Sequence, residues 1–182
     1  MRPLLALADA IDGTSRLIGR TVKWLAVLLV VVQFAVVVMR YAFGASFAWA
    51  QESVIYLHAM LFMLAIGYVY MLDAHVRVDF FWANWSERSR AGLELAGILC
   101  FVWPFCALVV WASWSYVAMS FRLSEGPMQV GGLPFQPWLK GLILAMICLL
   151  AVQALSVAIR GVAVLAGRSA KLFPHRQSVG EA

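Results

Sequence analysis

Between Ser53 and Leu72 the chain carries a single side chain that titrates near neutrality, His58, over a length matching the ~20 residues a helix needs to cross hydrocarbon. Charge marks both ends of this run, with Glu52 at one mouth and His75, Arg77 and Asp79 at the other. Few folds are open to such a segment. In lipid each backbone polar group must find its partner inside the protein, and a lone apolar run does so as a helix.

Three more runs share this character, and the sequence predicts an all-α integral membrane protein with four transmembrane helices, at about 22–43, 53–72, 92–119 and 138–159. They form a membrane domain of residues 22–166, followed by a polar tail, 167–182. Hydrophobic residues make up 64% of the chain and charged residues 13%, with a mean hydropathy of +0.86. Soluble domains lie far from these values. The net charge of +5 does not point to nucleic acid, because the basic residues cluster at the ends of apolar runs and not on one wet surface. Cys100, Cys106 and Cys148 fall inside apolar runs without CxxC spacing, so they are read as packing residues.

At 100° per residue, Asp9, Asp12, Arg16, Arg20 and Lys23 share one face of residues 1–23, opposite Leu7, Ile11, Ile18 and Val22. Such a segment is expected either as an amphipathic helix in the headgroup region, its charges in water, or as a solvated leader. Ala48-Trp49-Ala50 resembles a cleavage site, but the two aspartates in the leader, the long apolar core and Arg40 favour a span that stays. The third run exceeds the bilayer thickness and must tilt or protrude, with Pro104 expected to bend it. Asn84 and Glu87 have the spacing of an N-cap and its N3 partner ahead of that run. Pro137 suits the first turn of the fourth helix, and Lys140 can reach headgroups.

Lys and Arg divide eleven to three between alternate sides of this topology. The bias places both termini in the cytoplasm and the loops around 40–52 and 120–137 outside.

Among candidate functional residues, His58 is expected to hydrogen-bond a neighbouring helix, with a proton relay as the alternative. Haem ligation by His58 and His75 is excluded, since they stand ~25 Å apart along one helix. Glu52 shares a helical face with Tyr56, Ala59, Met63, Gly67 and Tyr70, small and amphipathic residues that let another helix approach. At the membrane edge Glu52 is expected as an exposed interfacial carboxylate paired with Arg40, with an ion-coupling site as the alternative. His75 and Asp79 are too few for a metal site, and the aromatics from Phe80 to Trp85 read as an interfacial belt. Trp103, Ala107, Trp111, Trp114 and Ala118 form a stripe that faces lipid or a partner subunit. No nucleotide loop, catalytic triad, paired intramembrane carboxylates or zinc spacing is present, so neither an enzyme nor a cofactor is expected.

Taken in order, Arg40-Tyr41-x-x-Gly44, Trp49-x-x-Glu52, Gly67, His75-Val76-Arg77-Val78-Asp79, Ser124-Glu125 and Gly131-Gly132-Leu133-Pro134 resemble the small membrane (DctQ-like) subunit of tripartite ATP-independent periplasmic (TRAP) transporters. The Gly-Gly-Leu-Pro segment, followed by Trp138-Leu139-Lys140 and by Gln153, is most similar to members associated with keto acids, mannitol or haloaromatic acids. The resemblance implies a sodium-driven importer of organic anions in the bacterial inner membrane. Its partners would be a periplasmic substrate-binding protein and a large (DctM-like) transport subunit, within membrane lipid. It also implies that Arg40, Trp49 and Glu52 contribute to subunit contact or binding-protein docking. An autonomous four-span proton-coupled carrier and a passive anchor of another complex are the alternatives on the residues alone.

Overall fold

A computed structural model describes residues 2–74, 85–168 and 171–174. Among these residues the regular structure is helical, with no strand. Helix α1 runs Arg2–Phe43, α2 Ala48–Met71 and α3 Glu87–Gly97; a π-helical turn, Ile98–Val102, leads directly into α4, Trp103–Arg122, and α5 runs Gln136–Leu165. Counting α3 to α4 as one, four helices among the described residues are long and apolar enough to cross a membrane.

Local chemistry explains where these helices begin, widen and stop. The N-cap of α3 is Ser86, whose hydroxyl accepts from the Ser89 amide at 3.2 Å. The expected cap, Asn84, lies outside the described residues. Glu87 thus opens the helix, where its carboxylate faces the positive end of the dipole. Pro104 has no N–H to offer the Cys100 carbonyl and its ring crowds that turn; the ladder widens just before it, with the Trp103 amide reaching Ile98.

Three helices end alike. Asp73, Ser124 and Gly167 take positive φ values of 55, 46 and 73°. In each case the next amide donates back across the turn, Ala74 to Val69, Glu125 to Ser120 and Arg168 to Ala163, which is the Schellman closure of orphan carbonyls.

The contacts divide the chain into two compact units, one of Met1–Leu17, Ile66–Leu108 and Cys148–Ala182, the other of Ile18–Ala65 and Val109–Ile147. In the first unit, Tyr70, Ala91, Ile98, Ala154, Val157, Ala158, Val164 and Leu172 form the core. Small residues set the helix spacing there. A Cβ on Gly67 would stand 3.4 Å from the Leu149 carbonyl and 3.5 Å from the Ser15 hydroxyl, and one on Gly161 would stand 3.0 Å from Leu95. The Tyr70 hydroxyl donates to Glu94 at 3.0 Å, and Arg88 caps the end of α5 through the Leu165 carbonyl at 2.9 Å. The second unit buries Val22, Leu57, Val117 and Ile147, together with Glu52 and Ser120.

The inward face of α1 departs from the expected division of charge at Asp12. Ala8, Asp12, Ser15, Gly19 and Val22 are buried, while Leu7 and Leu17 are 47% and 68% exposed. Asp12, placed in water by the charge pattern, is 2% exposed. The leader is also continuous with the first span, one helix of 42 residues. Along the same helix Trp24, Val30 and Phe34 are 64–69% exposed, a surface that requires lipid or another protein as its surroundings.

Candidate functional site

The motif residues of the second unit converge on the loop between α4 and α5. Glu52, in the first turns of α2, is 1% exposed, and its two carboxylate oxygens accept from the amides of Gln129 at 2.9 Å and Leu133 at 2.7 Å. Gly132 sits between these two contacts, and any Cβ there would overlap the carboxylate. Gly131 before it has φ +79°, a conformation that L side chains rarely adopt. The glycine pair therefore has two separate reasons: one residue makes the turn and the other makes room. Glu52 is thus a buried clamp and not the exposed partner of Arg40 that its place in the sequence suggested. Arg40 instead reaches the Ser46 hydroxyl at 3.5 Å, which also accepts from Gln51 at 3.0 Å.

A second pair holds the other end of the loop. Glu125 accepts from Lys140 at 2.5 Å and from the Ser120 hydroxyl. The hydrogen bond from Lys140, helped by Ser120, holds the Glu125 carboxyl below its ordinary range. Lys140 also lies over the Tyr116 ring, 4.1 Å from its centroid, and so turns inward and not out to headgroups. Between the two clamps the loop presents apolar side chains, with Val130 fully exposed and Met128 44% exposed.

Of the other sequence candidates, Trp49 is 53% exposed and helps line an apolar hollow of about 380 Å³ with Phe47, Met39 and Val36. Tyr56 and Met63 are partly buried. The Tyr56 hydroxyl lies near Glu52 and the Phe135 amide without a hydrogen bond of ordinary geometry. Gly67 belongs to the first unit and serves helix packing there. Trp103, Trp111 and Trp114 are 36%, 79% and 61% exposed along α4. Among the described residues His58 finds no hydrogen-bond partner on a neighbouring helix; it is exposed and stacks on Phe62 with centroids 4.6 Å apart. His75, Arg77 and Asp79 lie outside the described residues.

The first unit holds a polar network that the hydropathy pattern did not reveal. Asp12 accepts from Gln153 at 2.8 Å, Ser156 at 2.7 Å and Arg160 at 2.8 Å, and Arg160 also reaches Asp9 at 2.6 Å. Ser15 adds a bond to Gln153 at 2.6 Å. Two spacings carried the signal: small and polar residues at 8, 12, 15 and 19 in α1, and Gln153, Ser156 and Arg160 along one face of the last span. Among the described residues no group of three or more metal-ligating side chains comes together.

Long helices that leave aromatic and branched side chains uncovered, with internal polar groups engaged in holding loop and helix in place, define a multi-pass membrane protein. The chain belongs to the DctQ component family of the tripartite ATP-independent periplasmic transporters, whose family model matches residues 29–164. It is therefore a small subunit of a TRAP transporter, from a family of transport components and not of enzymes. The match spans both ends of the loop clamp and begins after Asp9, Asp12 and Ser15. Comparison with curated proteins and with solved structures gives no match.

Proposed function

We propose that this chain is the fixed scaffold subunit of a sodium-driven, binding-protein-dependent importer of organic anions in a bacterial inner membrane. It packs against the large transport subunit, keeps both termini in the cytoplasm and presents the 123–135 loop to the periplasmic binding protein. The observation that carries this reading is the use made of Glu52. A carboxylate serving ion coupling needs a cavity and freedom to exchange its proton, whereas both oxygens of Glu52 accept hydrogen bonds from loop amides. A clamp of this kind suits a platform that keeps its shape while a partner moves.

The exposed tryptophans of α4 and the segment around Arg40 and Trp49 supply faces for subunit contact. An organic carboxylate needs fixed donors within a cavity. In this chain Arg160 is committed to Asp9 and Asp12, and Lys140 to Glu125.

Liposomes holding this chain alone are expected to show no sodium-dependent uptake of organic acids, and those holding the large subunit and loaded binding protein as well are expected to show it. Comparable uptake by the isolated chain would restore the autonomous carrier. Assembly with an unrelated complex, and not with a large transport subunit, would restore the passive anchor.

A further inference from the structure

Two polar side chains stand equally far from the turn between α1 and α2, and neither hydrogen-bonds to another of the described residues. Gln33 lies ten residues before the end of α1 at Phe43, and His58 ten residues after the start of α2 at Ala48, so each is about 15 Å from the short turn joining the helices. That distance is half of a hydrocarbon core of about 30 Å. Both side chains are exposed, and among the described residues neither makes a hydrogen bond, His58 only stacking on Phe62. Their helical neighbours are apolar and exposed as well, Val30 and Phe34 beside Gln33, and Ile55 and Phe62 beside His58.

An acyl chain can offer nothing to an imidazole or a carboxamide, so a lipid-facing position leaves both groups unsatisfied where water is scarcest. A protein helix can supply the missing partner. We infer that the mid-membrane faces of α1 and α2 around Gln33 and His58 form the contact with the large subunit, which presents hydroxyl or carboxamide side chains at that depth. This rests on the scaffold reading and names the face it uses. Both groups can donate and accept, so neutral polar partners suffice and no charge need enter the bilayer.

The choice of the large subunit over lipid follows from those two unmet hydrogen-bonding groups. Its choice over a second copy follows from membership of a multi-component transporter. Intramembrane hydrogen bonds are modest individually, so each apolar replacement is expected to weaken association about threefold to tenfold.

The test uses the assembled transporter in membranes, with a photocrosslinking amino acid in place of Phe62 or, separately, of Trp111. The Phe62 probe is expected to capture the large subunit. Gln33→Leu with His58→Leu should lower recovery of the large subunit about tenfold or more, while the amount and thermal midpoint of the free chain hold or rise. His58→Gln, which keeps a donor and an acceptor, should restore most of the loss. Capture of lipid only or of a second copy at Phe62, or full recovery of the large subunit with the double variant, overturns the inference. If the large subunit co-purifies and is captured from Trp111 alone, this face is wrong and the scaffold reading stands. If the wild-type chain recovers no large subunit, the scaffold reading itself fails.

Discussion

At the scale of single residues, the contact between Glu52 and Gly132 makes the sharpest demand on the chain. Glu52→Ala leaves the amides of Gln129 and Leu133 without their acceptor, at a cost of about 1–3 kcal/mol if water replaces it incompletely. Gly132→Ala forces the carboxylate out of its seat and should cost about as much. Gly126→Ala, with open space around its Cβ, should be close to neutral. Thermal midpoints of the three purified variants check this order, and a neutral Gly132→Ala would remove the clamp. Glu125 adds a pH dependence. Its carboxyl is lowered in the folded protein, so the stability it contributes is full above the ordinary value of 4.5 and is lost as pH falls through the lower folded-state value. The difference in thermal midpoint between wild type and Glu125→Gln should therefore hold at neutral pH and close in acid.

At the scale of elements, the first turns of α1 are part of the folded core. Asp12→Ala strips Gln153, Ser156 and Arg160 of a shared acceptor and leaves Arg160 with Asp9, whose side chain is 70% exposed. A buried pair broken from one side costs about 3–5 kcal/mol. Replacing both members, Asp12→Leu with Arg160→Leu, should cost clearly less than the sum of the single changes, because no charge is then left buried. A double-mutant cycle on thermal stability reads the difference. Strict additivity would show that the leader is peripheral.

At the scale of the whole molecule, the eleven-to-three division of Lys and Arg predicts that cysteines placed at Ser178 and at Val130 react with an impermeant label from opposite sides of the membrane. Val130 is the better outer probe because it is fully exposed and its side chain takes no part in either clamp. Labelling of both from one side would refute the topology, and with it the presentation of the loop to a periplasmic partner.

The four membrane helices were legible as sequence because hydrocarbon forces each apolar run to pair its own backbone, a requirement met locally and indifferent to neighbours. Ser124-Glu125 and the Gly-Gly-Leu-Pro segment were legible as motifs, but not the contacts they make. Which face turns inward was decided elsewhere. In water an apolar stripe identifies the core, whereas in lipid apolar side chains can remain outside and the buried face is chosen by small size and by polar pairing. Those pairings join positions far apart in the chain, Asp12 with Arg160 and Glu52 with Leu133. Nothing near Asp12 announces Arg160, and nothing near Glu52 announces the amide of Leu133. Tertiary structure alone buried Asp12 against Arg160 and turned an apparent surface carboxylate, Glu52, into the clamp of a loop.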